Sequence, residues 1–184
     1  MTASADHPIV FLDVDGPLIP FGDAGRRYPA GDPGPGAHPL LARLDPADGP
    51  RLLALPGALT WATTWSEQAN EVIAPRLGLP RLPVVTWPDD EDDLPGGRHW
   101  KTAGLVRWAA GRPFAWIDDE ITDADRRWVA AHHRGGALLR RVDPRTGLVG
   151  DDFTAVTRWL MRARRPRAGD RAGPAGVCES RPAG

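Results

Sequence analysis

"PIVFLDVDG", residues 8–16, decides how the rest of the chain is read. The apolar run from Ile9 to Leu12 reads as a short buried strand, and it stops abruptly at acids. Asp13 and Asp15 stand two apart just past that strand, with Gly16 behind them. A short apolar run of this kind suits a strand covered on both faces, as in a parallel sheet. In such sheets reactive groups gather at the carboxyl ends of the strands. Further strands should then follow, and the residues at their ends should carry the chemistry.

Four more strands are predicted downstream: "GALTWAT" over 57–63, "LPVVTW" over 82–87, "PFAWID" over 113–118 and "GALLRRVD" over 136–143. Helices are predicted between and after them. One lies within 45–55, where Asp45 can cap and Pro46 suits a first turn. A second spans 66–78, opened by Ser66 and closed at Gly78. "KTAGLVRWAAG" gives a helix over 101–111, and "TDADRRWVAAHH" one over 122–133 with Thr122 as N-cap. An amphipathic helix is expected over 151–165. Strand and helix alternate, which predicts an α/β fold: a parallel sheet with helices on both faces.

The punctuation between these elements sets the domain plan. Residues 20–39 are dense in Gly and Pro and read as loop or a small flap. "DDEDDLPGG", 89–97, is an acidic loop. Residues 166–184 hold Arg, Gly, Pro and Ala without apolar periodicity, the pattern of a disordered tail. The expected plan is one domain over 1–165, with a flap over about 17–42, followed by that tail.

Composition narrows the function classes. A net charge of −1 gives no bulk reason to expect nucleic acid or an anionic membrane as partner. With one cysteine, Cys178, no internal disulfide can form, which suits a reducing compartment. The only apolar run near the N-terminus is too short for a signal peptide or a membrane span, so a cytoplasmic location is expected. One bias is informative: of 23 basic residues, 22 are Arg and one is Lys, Lys101. A chain that uses Arg for surface charge throughout keeps a compact ammonium at the start of one helix.

The strand ends collect a consistent set. The first strand delivers Asp13 and Asp15, the second Thr63 and Thr64, and the fourth Asp118 and Asp119, with Asp123 one turn further on. Lys101 begins the helix that leads into the fourth strand. Carboxylates from two strands can hold a hard divalent cation through oxygen, and Mg2+ suits the set because it leaves room for water and a phosphate oxygen. A hydroxyl and an ammonium beside them complete a pocket for a phosphoryl group. An EF-hand loop does not fit "DVDG", because Pro17 follows and no acid completes the spacing.

With "IVFLDVDGPL", "LTWATTW", "HWKTAG" and "WIDDEITDAD" in this order, the chain resembles the haloacid dehalogenase-like (HAD) superfamily over about residues 8–160. The four segments match its motifs I to IV. Pro17 departs from the Thr or Val usual there. The resemblance implies a three-layer Rossmann-like sheet of strand order 5-4-1-2-3. It implies Asp13 as the nucleophile that forms an aspartyl-phosphate, and Asp15 as the acid that protonates the leaving oxygen and then activates water. Thr63, or Thr64 in the other register, would bond a phosphoryl oxygen, and Lys101 would neutralise Asp13 and the phosphoryl group. Asp118 would bind Mg2+ with Asp13 and the Asp15 carbonyl, and Asp119 and Asp123 would support the ion directly or through water.

The spacing between motifs leaves no room for a folded cap domain, only for a flap. A capless, open site suits large phosphorylated substrates as well as small ones, including the phosphorylated end of a polynucleotide. Trp65 and Trp100 border the expected site, and packing against the core or flap is the favoured reading for both. The arginines at 162, 164, 165 and 167 read as a solvated charge run. The expected activity is Mg2+-dependent hydrolysis of a phosphate monoester. A catalytically silent binding module of the same fold is the alternative from a different class, and the intact acids and lysine speak against it. A receiver-like signalling domain would need an acid after the third strand, where "VVTWP" has none.

Overall fold

The computed structural model of the protein describes residues 7–22, 39–87 and 97–164. Four parallel strands form its sheet: β1 (Ile9–Leu12), β2 (Ala58–Trp61), β3 (Phe114–Asp118) and β4 (Ala137–Arg141), in the order β2-β1-β3-β4. The central strand β1 pairs Leu12 with Trp61 on one side and with Ile117 on the other. All four of its residues are fully buried, as a strand covered on both faces requires.

Alternation along β1 splits the core in two. Val10 and Leu12 face a cluster closed by α1 (Asp48–Leu53), α2 (Ala74–Leu77) and α5 (Gly150–Ala163). Ile9 and Phe11 face a second cluster closed by α3 (Lys101–Ala109) and α4 (Asp123–His132). In α5 the buried residues Phe153, Val156 and Leu160 recur at helical spacing on one side. Among the described residues no helix is long and apolar enough to cross a membrane.

Two elements differ from their sequence expectation. The segment over 82–87 is not a strand. It touches the sheet only through a bridge between Val84 and Trp61, made by Trp61 N to Pro83 O at 2.8 Å and Val85 N to Trp61 O at 2.9 Å. Pro83 has no N–H to donate to a ladder. The Asn70 side chain meanwhile binds both backbone groups of Leu82, at 2.8 and 2.9 Å. The helix expected over 66–78 is also reorganised. Ser66 does not cap it but adopts a left-handed backbone, φ 49°. A π turn over Ala69–Ile73 precedes α2. Pro75 cannot donate the i→i−4 bond of a regular helix, and the wider turn accommodates it. Gly78, φ 66°, ends the helix as expected.

The described ends of the predicted flap hold a turn at 16–18 and a short 3-10 helix at Pro39–Arg43. The rest of the flap (23–38), most of the acidic loop (89–96) and the predicted tail lie outside the described residues.

Candidate active site

Pairing of β1 with β3 sets Asp13 and Asp118 side by side at the carboxyl end of the sheet, and Asp13 N continues the ladder by donating to Ile117 O at 3.1 Å. Lys101 reaches them from the first residue of α3. Its Nζ donates to Asp13 Oδ2 at 2.7 Å and to Asp118 Oδ2 at 2.9 Å. All three side chains are buried, the lysine only 3% exposed. Backbone and indole donors complete the set: Val14 N to Asp13 Oδ1 at 2.8 Å, Glu120 N to Asp118 Oδ1 at 2.9 Å, and Trp116 Nε1 to Asp118 Oδ2 at 3.2 Å. One cation between two carboxylates leaves the cluster net negative in a dry setting, where unbalanced charge is expensive.

That excess charge shows in the proton affinities. Burial pushes the Asp13 carboxyl up to about 7; Lys101 opposes the shift and Asp118 adds to it. Burial and the neighbouring Asp118 push Asp119 up to about 6. For Lys101, burial alone would lower the affinity, but the two carboxylates outweigh it and hold the ammonium above its ordinary range. The site therefore has proton-binding capacity near neutral pH and room for more positive charge.

A pocket of about 140 Å³ opens over this cluster, lined by Asp13, Asp15, Thr64, Lys101 and Asp119 among others. The paired acids at 118 and 119 divide their tasks. Asp118 is fully buried inside the ion-pair network, whereas Asp119 lines the pocket. Carboxylate oxygens of Asp13, Asp118 and Asp119 lie within 4.8 Å of one another, an all-oxygen set suited to a hard cation. Gly16 allows this crowding. Its φ is +82°, and a Cβ there would collide with the Asp119 carboxyl.

The two threonines also separate. Thr64 is exposed and lines the pocket, while Thr63 is buried with its Oγ1 accepting from Trp65 N at 3.3 Å. Asp15 lies at the pocket with its Oδ2 accepting from Trp65 Nε1 at 3.0 Å. Asp123 is not brought to the cluster. Its side chain is 86% exposed, and it pairs with Arg126 at 3.7 Å.

Asp125, two residues on, is the acid that matters for the site's construction. It is fully buried and closes a capping box with Thr122 at the start of α4. Its Oδ1 accepts from His99 N at 2.8 Å and from Thr102 Oγ1, which ties α4 to the start of α3. These bonds outweigh the effect of burial and hold Asp125 below the usual carboxylate range. The T-x-x-D spacing of "TDAD" is the sequence signal for it. His99, in the loop before α3, is engaged too: Nδ1 accepts from Lys101 N at 3.1 Å and Nε2 meets Glu120 Oε2 at 2.9 Å. The first of these contacts places the ring proton on Nε2.

No family model, no curated protein and no solved structure matches this chain.

Proposed function

We propose that the protein is a Mg2+-dependent phosphohydrolase of the HAD-like type, acting on a phosphate monoester through an aspartyl-phosphate on Asp13. The observation that carries this reading is Lys101 Nζ within hydrogen-bond distance of both Asp13 and Asp118 at the carboxyl end of a parallel sheet. The superfamily resemblance implies the Lys101–Asp13 half of this contact, between two sequence-distant motifs. Counting the segment at Val84 as an outer third strand beside β2 would give the order 5-4-1-2-3 of that superfamily, and the short spacing from Asp15 to Thr63 supports a flap in place of a cap.

Asp13, Asp118 and Asp119 would hold the metal, and the donor set is right for it: oxygen only, with net negative charge. When bound, Mg2+ supplies positive charge that offsets charge developing on the phosphoryl oxygens. The chain's own residues do the rest. An Asp13 carboxylate oxygen attacks phosphorus, and the bond from phosphorus to the ester oxygen breaks. That oxygen takes its proton from Asp15. Asp15 then accepts a proton from water as the water oxygen attacks the same phosphorus. The bond to Asp13 breaks, and phosphate leaves. Lys101 keeps Asp13 oriented and shares the phosphoryl charge, and Thr64 is the pocket hydroxyl placed to bond a phosphoryl oxygen.

The test is hydrolysis of 4-nitrophenyl phosphate with Mg2+ and with a chelator, together with acid-quench trapping of labelled phosphate on the protein. Wild type should turn over only with the metal and should carry acid-stable, base-labile label. Asp13→Asn should lose both, by at least about a thousandfold in rate, with an unchanged circular dichroism spectrum. Activity in Asp13→Asn close to wild type would refute the assignment.

A further inference from the structure

We infer that Trp65 is a positioning residue for the general acid and base, holding the Asp15 carboxylate by one oxygen so that the other handles the proton; this rests on the phosphohydrolase reading above. The observation is the bond from Trp65 Nε1 to Asp15 Oδ2 at 3.0 Å, between residues 50 apart in sequence. Indole N–H is a donor with no acceptor capacity, so it fixes an oxygen without competing for the transferred proton.

Three features show that this contact is built rather than incidental. The backbone under Asp15 is already fixed: Leu18 N and Ile19 N both donate to Val14 O at 2.9 Å, and Gly16 N donates to Ile19 O at 3.0 Å. Only the side-chain torsions of Asp15 remain to be set, and Trp65 sets them. The backbone under Trp65 is fixed as well, by its N–H on Thr63 Oγ1 at 3.3 Å. The next residue, Ser66, takes φ 49°, a left-handed conformation that disfavours a non-glycine residue. Strain beside a reactive group is characteristic of a functional turn. The indole body packs against the core cluster of α1, α2 and α5, so the N–H is delivered from a rigid support. Thr63 thereby gains a role apart from substrate: it anchors the residue that orients Asp15, while Thr64 faces the pocket.

The proton delivered by Asp15 matters only when the leaving oxygen is a poor leaving group. Trp65→Phe keeps an aromatic ring and removes the N–H. For an alkyl phosphate, kcat/KM should fall by about tenfold or more in this variant, since a positioned general acid supplies ~10²–10⁴. For 2,4-dinitrophenyl phosphate, whose phenolate leaves unprotonated, kcat/KM should stay within about threefold of wild type. With that ester the variant should also accumulate label on Asp13, because water activation is slowed. An equal fall for both esters, or a fall for neither, overturns the positioning role while the phosphohydrolase reading stands. Wild type inert on both esters overturns the phosphohydrolase reading, and the positioning role with it. A second measurement does not depend on how Trp65→Phe folds. The Trp65 indole N–H resonance should shift when Asp15→Ala removes its acceptor, and an unmoved resonance overturns the contact.

Discussion

At the scale of single residues, the chain's one lysine is the informative choice. Everywhere else positive charge is arginine, yet position 101 lies between two buried carboxylates at 2.7 and 2.9 Å. An ammonium is compact and can point separate N–H bonds at Asp13, Asp118 and a phosphoryl oxygen. A planar guanidinium needs more space and a flat partner. Lys101→Arg should therefore lose over about a hundredfold in kcat/KM, nearly as much as Lys101→Ala, in steady-state assays at saturating Mg2+. Lys101→Ala should also lose about 3 kcal/mol or more of stability, because it strands two buried acids. Retention of more than half the wild-type rate by the Arg variant would mean that the lone lysine is a compositional accident. Sequence reasoning found this residue because composition isolates it. It passed over Asp125, which sits among neighbouring acids that look alike until burial separates them: Asp123 is exposed and Asp125 is not.

At the scale of elements, the entry of α3 decides where Lys101 points. No side chain caps that helix at Trp100. Its start is held instead by Asp125 of α4, through His99 N and Thr102 Oγ1. Asp125→Ala would remove a capping box and leave two donors at the α3 entry without their partner. About 3 kcal/mol of stability should be lost in urea unfolding. Amide exchange should speed up at the start of α3 as well as in α4, and kcat/KM should fall although Asp125 is not in the pocket. Loss confined to α4 would show that the two helices are not coupled. The elements that departed from expectation did so at prolines. The run "LPVVTW" predicted a strand at 82–87, and Ser66 with Gly78 predicted a helix over 66–78, but Pro83 and Pro75 each lack a donor that the regular element needs.

At the scale of the whole molecule, folding brings Asp13, Lys101, Asp118 and Asp119 into one cluster, and the fold bears the cost of that crowding. The sign follows from the raised proton affinity of Asp13, about 7 when folded against an ordinary 3.8. Between these values the folded state holds a proton that the unfolded state has released, so stability falls as pH rises. The contribution is fully present below about pH 4 and is lost as pH passes 7. Asp119 acts in the same direction up to about 6. Buried His133, whose affinity is lowered, opposes them by favouring the folded state as pH rises towards 6.5. Metal-free protein should therefore melt at a lower temperature at pH 7.5 than at pH 5.5. Mg2+ should restore the difference at pH 7.5 and do little at pH 5.5, where it must displace protons. Asp13→Asn should flatten the profile, and a profile that is steeper in this variant would contradict the account. The sequence by itself determined the alternation of strands and helices, the buried central strand and the acids at its end. These are local properties: apolar period, capping residues and the abrupt change from Leu12 to Asp13. Only the tertiary structure decided which acid of each pair faces the pocket, which threonine does, that Trp65 bonds Asp15, and that Asp125 ties α4 to the start of α3. Adjacent residues such as Asp118 and Asp119, or Thr63 and Thr64, are chemically the same in sequence. They become different only when the sheet register and the packing of α3 bury one and expose the other.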